Sequence, residues 1–198
     1  MRTQLTIYEP ICENLDEERT FENQDITLKV SIHAKGKLWF KHCVIRTEDE
    51  VAISGCIFED CSFIKCATLE SCIFLHCRMI TASDGGILHC KFDQVNKVYS
   101  YGDISHCQFA NISCDQDTVI TLEDGTISYC TFDGVDLRNG AYLIEATGDV
   151  WIEYSDFKNC HTDRMDGELI HCEEVSGRIV KKRKEFDIVD NSTCTGIE

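Results

Sequence analysis

Along this chain apolar and polar positions alternate with a period of two, and the clearest phrase is small, polar, large. Cys56-Ile57-Phe58, Cys61-Ser62-Phe63, Cys72-Ile73-Phe74, Cys90-Lys91-Phe92, Cys107-Gln108-Phe109 and Cys130-Thr131-Phe132 carry it, and Ser155-Asp156-Phe157 repeats it with serine for cysteine. Alternate residues of a strand share a face, so the first and third residues point inward and the middle one outward. Five residues upstream, Gly85, Gly102, Gly125 and Gly167 precede Cys90, Cys107, Cys130 and Cys172. Ile87, Ile104, Ile127 and Ile152 likewise precede Phe92, Phe109, Phe132 and Phe157. A small and a large inward residue thus recur as a pair, then again five later. Two short strands joined by a corner of two or three residues produce this pattern, and glycine adopts the angles a corner demands.

From Cys90 through Cys107 and Cys130 to Ser155 the anchors stand 17, 23 and 25 residues apart. That is about one coil of a solenoid per phrase, with coils stacked ~4.8 Å apart. The strand-like runs DTVITLE (117–123), AYLIEA (141–146) and GRIVKK (177–182) supply a further face. No i, i+3, i+4, i+7 stripe persists, which argues against helices. A hairpin sandwich does not require one residue type at one place in every turn. The predicted fold is all-β: a single-stranded, right-handed parallel β-helix of roughly seven or eight coils with short terminal caps. Residues 1–25 form an N-terminal strand or cap, 26–175 the coils, and 176–198 a C-terminal coil or cap.

On these phrases, residues 26–175 resemble right-handed parallel β-helix proteins of the pectate-lyase-like kind. The stretch GCIFEDCSFIKCATLESCIFLHCRMI (55–80) is similar to pentapeptide-repeat proteins. Those place a small residue, often alanine or cysteine, two before a leucine or phenylalanine. Cys56/Phe58, Cys61/Phe63, Cys72/Phe74 and Cys77/Met79 match, whereas CATLES inserts one residue and breaks the register.

Composition adds an unusual count of 14 cysteines. Disulfide framework, metal site and apolar ladder compete as explanations. Disulfide scaffolds are usually small, secreted and poor in core; here 43% of residues are hydrophobic, enough for a full core. No C-x-x-C pair occurs, as zinc sites commonly show. The commonest spacing is C-x4-C: Cys56 to Cys61, Cys61 to Cys66, Cys72 to Cys77. An odd spacing of five implies a corner between the two cysteines, which favours a ladder of small, buried thiols.

The net charge of −16 argues against direct contact with nucleic acid or anionic membrane and permits a basic protein partner. No stretch approaches the ~18 apolar residues of a membrane helix. The first residues lack the apolar core of a signal peptide, so the expected location is the cytoplasm, with reduced cysteines. The basic run Lys181–Lys184 reads as solvated lysines on a strand or cap.

Residues preceding the anchors are His42, His76, His89, His106, Tyr129, Tyr154 and His171. At equal coil positions His89, His106, Tyr129 and Tyr154 would stack in one corner column. Tyrosine is a poor substitute for a histidine metal ligand, so a ladder shielding a turn is favoured. Asp124, Asp133, Asp136, Glu145, Asp149, Asp156, Asp163 and Asp166 crowd the C-terminal half, with Arg164 in the longest candidate loop, HTDRMDG (161–167). No Ser-His-Asp set, phosphate loop or dinucleotide fingerprint is present. No catalytic residue, metal ligand or cofactor is therefore assigned.

The expected role is non-catalytic binding or scaffolding through an exposed acidic face. The candidate surface is His89, His106, Tyr129, Tyr154, Asp133, Asp156, Asp163, Arg164 and Asp166. A protein with a basic surface or a glycan is the expected partner. Two alternatives stand beside this. Some pentapeptide-repeat proteins mimic DNA in shape and charge, and the resemblance implies inhibition or protection of a DNA-handling enzyme. The likeness to polysaccharide-cleaving β-helices implies a small carbohydrate-active or carbohydrate-binding protein.

Overall fold

The computed structural model describes residues 2–11, 18–48, 50–115 and 117–173. Among them nineteen strands, from Thr3–Ile7 to Ile170–Glu173, form one continuous sheet with no helix, and every pairing is parallel. The chain is a parallel β-solenoid of about seven turns. Parallel pairing already joins Thr3–Ile7 to Gln24–Leu28. The predicted cap 176–198, the GRIVKK strand and the Lys181–Lys184 run lie outside the described residues.

Each coil has three faces, and three inward columns fill the space between them. The first face carries the phrase. Phe21, Phe40, Phe58, Phe74, Phe92, Phe109, Phe132 and Phe157 stack with centroids 4.5–5.3 Å apart and ring planes within 6–12°. On the second face Ile26, Ile45, Ile64, Ile80, Val98, Ile120, Ile144 and Ile170 lie in register. The third holds Ile32, Ile53, Leu69, Ile87, Ile104, Ile127 and Ile152. Branched and aromatic side chains suit these columns because each fills the pleat and meets its own kind one strand away.

Two corners per coil turn on a single residue with left-handed backbone. Gly55, Ser71, His89, His106, Tyr129 and Tyr154 make the corner before the phenylalanine face, with φ from 50° to 64°. Asn23, His42, Asp60, His76, Gln94, Asn111, Gly134 and Asn159 make the corner after it, with φ from 49° to 71°. A non-glycine residue at such angles is strained. The strain is offset because the corner N–H stays in the ladder. His89 donates to the Ser105 carbonyl at 3.0 Å, His106 to Ser128 at 3.0 Å, His42 to Glu59 at 2.9 Å and His76 to Asp93 at 2.9 Å. These amides keep an acceptor where the chain bends. At the third corner glycine is required at Gly86 (φ 78°), where a Cβ would lie 2.2 Å from the Asp103 carbonyl oxygen.

The first corner is followed by a small inward residue and the second, after Gln24 in the first coil, by cysteine, valine or isoleucine, which explains most of the cysteines. Cys56, Cys72, Cys90, Cys107, Cys130 and Ser155 follow the first corner; Cys43, Cys61, Cys77, Val95, Ile112, Val135 and Cys160 follow the second. The thiols of Cys43, Cys56, Cys61, Cys72, Cys77, Cys90, Cys107, Cys130 and Cys160 each donate to the carbonyl two residues earlier, at 3.2–3.6 Å. Ser155 makes the same bond to Glu153 at 3.1 Å, so serine replaces cysteine without loss of the donor. Valine and isoleucine in the second column show that bulk and apolarity suffice there. Eleven cysteines from Cys43 to Cys160 are free, and nine of them are buried. Burial pushes the Cys66 thiol far above its ordinary value and raises Cys160 to about 11.

Four sequence expectations change in detail. Phe63 is not in the ring ladder: Cys61 follows the second corner, and Ile64 is the inward residue of that strand. Phe21 and Phe40 are in the ladder although Arg19 and Leu38 stand where cysteine was expected. Gly85 is exposed and Gly102 and Gly125 are half-buried, so these glycines occupy a corner and not an inward position. Cys172 pairs with Ala146, two residues beyond the isoleucine column, and does not continue the cysteine columns. The corner expected between C-x4-C cysteines is present as Asp60 and His76 in two of the three pairs, whereas no residue between Cys61 and Cys66 has left-handed backbone.

Two measurements check this packing. Phe92→Ala opens a cavity under two rings and should cost about 3–5 kcal/mol in denaturant unfolding; a loss below ~1 kcal/mol contradicts the ladder. Peptide-resolved labelling of native protein with a thiol reagent should reach only Cys114 and Cys160 quickly among the cysteines from Cys43 to Cys160, the remainder of these reacting on unfolding. Rapid native modification of Cys90 or Cys107 contradicts it.

Candidate functional site

The left-handed corner projects its side chain outward at the same height in every coil. His89, His106, Tyr129 and Tyr154 therefore stack along one edge, at centroid spacings of 4.8, 4.9 and 5.0 Å. Tyr129 is 53% and Tyr154 40% exposed. Ring faces inside the column are occupied by neighbouring rings, so the edges, imidazole nitrogens and phenol hydroxyls are what solvent meets. His171 stands elsewhere, stacked on Tyr142 at 4.7 Å. His42 and His76 lie at the other corner on either side of Asp60, with Nδ1 3.9 and 3.8 Å from its carboxylate. Among the described residues no three or more His, Cys, Asp or Glu side chains converge as a metal would need.

Asp156 shares a face with the column. It continues the outward row Lys91, Gln108, Thr131, Asp156, in register from strand to strand. Asp133 belongs to the adjacent row Asp93, Ala110, Asp133, Lys158. Corner asparagines link coils along this row: Asn111 Nδ2 donates to Asp93 at 2.9 Å and Asn159 Nδ2 to Asp133 at 2.7 Å.

Asp163, Arg164 and Asp166 are not brought to that face. They form a clasp between the last two coils. The Asp163 carboxylate accepts the backbone amides of Asn139 at 2.7 Å and Gly140 at 3.0 Å. Arg164 pairs bidentately with Asp166 at 2.9 and 2.6 Å, donates to the Gly140 carbonyl at 3.0 Å and lies 4.0 Å over the Tyr142 ring. The Gly140 and Asn139 amides hold the Asp163 carboxyl below its ordinary value, and Arg164 does the same to Asp166. These three residues satisfy one another and the backbone, so they do not line an open groove. The predicted surface thus divides into an aromatic column with Asp133 and Asp156, and a structural clasp.

Other acids are also structural. Asp103 accepts the Thr126 amide and Asp124 the Asp149 amide, each at 2.8 Å across adjacent coils. Asp-Gly and Gly-Asp pairs at Asp84, Asp103, Asp124 and Asp149 were the signal for this corner, because both residue types favour turns. A cavity of about 540 Å3 opens at the N-terminal end between Leu5, Ile7, Tyr8, Ile11, Arg19 and Phe21. None of the predicted surface residues lines it.

Charge is divided sharply along the solenoid. Residues 81–173 contain seventeen acidic and five basic side chains, whereas residues 18–80 contain nine and eight. Twelve of the sixteen net negative charges therefore belong to the half that carries the column. The chain matches no protein-family model, and neither a curated protein nor a solved structure is significantly similar to it.

The clasp makes a pH-dependent prediction. The folded pKa of Asp163 lies below its unfolded value, so its contribution is complete above the unfolded value near ~3.9 and is lost as pH falls through the folded one. Asp163→Ala should speed amide exchange at Asn139 and Gly140 by roughly tenfold, the cost of about one charge-assisted hydrogen bond. The ratio to wild type should hold from neutral pH down to about 5 and shrink toward unity well below about 4. Equal exchange in both proteins at neutral pH contradicts the clasp.

Proposed function

We propose that the protein is a non-catalytic binding or scaffolding module that engages a basic protein surface through its acidic half. The seventeen-to-five excess of acids over residues 81–173 carries this reading. Those charges sit on a stiff, in-register scaffold, so the partner meets a fixed field with little ordering cost. Asp156, Asp133 and the exposed Tyr129 and Tyr154 edges form the contact face. Buried free thiols support a reducing compartment, the cytoplasm. Among solenoids, ladder phenylalanines spaced 16 to 25 residues apart favour kinship with pectate-lyase-like helices, since a strict five-residue unit gives multiples of five.

A second reading gains support from charge density. The net excess of twelve acids over four to five coils is one charge per ~2 Å of axis at ~4.8 Å per coil. Duplex DNA carries one per ~1.7 Å. An acidic mimic occupying the basic groove of a DNA-handling enzyme is thus a special case of the first reading. The carbohydrate reading has less support, because sugars stack on open ring faces and the column covers its own.

Binding to an immobilised arginine- and lysine-rich peptide, and to basic proteins of a native lysate, should weaken at least about tenfold between 50 mM and 500 mM salt. Asp133→Lys with Asp156→Lys should weaken it further at low salt. Affinity that stays flat across salt removes both readings.

A further inference from the structure

Four outward aromatic rings on this solenoid share one surrounding. Lys41 lies 4.7 Å over Trp39 and pairs with Glu59 at 3.0 Å. Arg46 lies 5.7 Å over Phe63 and pairs with Asp25 at 2.9 Å. Lys97 lies 5.1 Å over Tyr99 and pairs with Asp117 at 2.7 Å. Arg164 lies 4.0 Å over Tyr142 and pairs with Asp166 at 2.6 Å. In each case a basic side chain is held between a ring face, whose quadrupole attracts it, and a carboxylate.

Trp151 departs from this pattern. The two tryptophans stand in opposite settings, Lys37-Leu38-Trp39-Phe40-Lys41 and Asp149-Val150-Trp151-Ile152-Glu153. Acids occupy the places that lysines take beside Trp39. Val150 and Ile152 are buried, so Asp149, Trp151 and Glu153 face outward together, each ~7 Å from the next along the strand. In register on the preceding coil stands Thr126, too small to cover an indole. Trp151 is 46% exposed. Among the described residues no basic group lies over its ring, and neither Asp149 nor Glu153 joins an ion pair.

We infer that Trp151, flanked by Asp149 and Glu153, is the seat for an arginine side chain of the basic partner protein, an assignment that rests on the binding role proposed above. Ring and acids repeat the surroundings of the four internal pairs, with the basic group supplied by the partner. Arginine fits better than lysine, because its planar guanidinium stacks on an indole while its N–H fork bonds carboxylates beside it. Trp151 stands three residues before the corner at Tyr154, so the seat adjoins the aromatic column. The column rings cover one another, whereas the Trp151 face is open to a partner.

Trp39→Phe leaves Trp151 as the sole tryptophan, and its fluorescence reads the seat directly. Acrylamide should quench this emission in the peptide-free protein, and octa-arginine should protect it. Octa-arginine should bind at least about fivefold tighter than octa-lysine, and Trp151→Ala, with unchanged circular dichroism, should weaken octa-arginine at least about fivefold and cut the preference below about twofold. Trp151→Tyr should retain octa-arginine affinity within about threefold, since a smaller ring face remains. Tyr8→Ala, which removes a more exposed ring at the other end of the solenoid, should change neither value. Unchanged affinity and preference in Trp151→Ala overturns the inference, while salt-labile peptide binding by the same variant leaves the acidic-half reading standing. Emission that resists acrylamide without peptide also overturns the inference, because the ring is then covered already. Absence of peptide binding by the wild-type protein removes both.

Discussion

Every coil must come back to the same height and the same register, and the left-handed corner residue makes that possible. It bends the chain between two faces while its own N–H still bonds to the next coil, as His89 does to Ser105 and His42 to Glu59. The ladder of hydrogen bonds therefore turns the corner unbroken. Because pitch is set by strand spacing, identical positions recur one strand apart, and like stacks on like. The phenylalanine column, the two branched aliphatic columns and the thiols all follow from that single repeat distance. So does the exposed column of His89, His106, Tyr129 and Tyr154, which needs no ligand to explain its stacking.

The same rule separates what the fold requires from what is free to vary. Inward positions and corner geometry are fixed along the axis, while outward residues between corners are not. Here the free positions change in charge: nearly balanced over residues 18–80, strongly acidic over residues 81–173. Fold alone does not demand that division, since Lys91 and Ile73 occupy equivalent places on neighbouring strands. Many of the acids also have structural partners. Asp103, Asp124 and Asp163 hold backbone amides, so they contribute to the field without being available for direct contact.

The solenoid was legible because cysteine, a polar residue and phenylalanine repeat with an odd spacing that forces a corner. The two-sided cysteine pattern was not. Cys61-Ser62-Phe63 has the wording of the phrase but sits on the next face, where Ile64 points inward; local wording cannot say on which side of a corner a strand lies. Leu38-Trp39-Phe40 and Arg19-Thr20-Phe21 were missed for the opposite reason: their rings stack although the cysteine is absent. The left-handed corners are hidden because histidine, tyrosine, asparagine, glutamine, serine and aspartate fill them where glycine would have announced them. For the site, the aromatic column could be read from equal positions in successive phrases. That Asp163, Arg164 and Asp166 clasp the preceding coil could not, since Asn139, Gly140 and Tyr142 lie about one coil upstream in sequence and only stacking brings them together.

Nuclear Overhauser contacts between selectively labelled phenylalanine rings test the in-register stack most directly. The account predicts an unbroken series in which the ring of Phe92 contacts those of Phe74 and Phe109, and Phe132 those of Phe109 and Phe157, with Phe63 outside the series. Contacts from Phe63 into that series, or its interruption between Phe92 and Phe109, would contradict it.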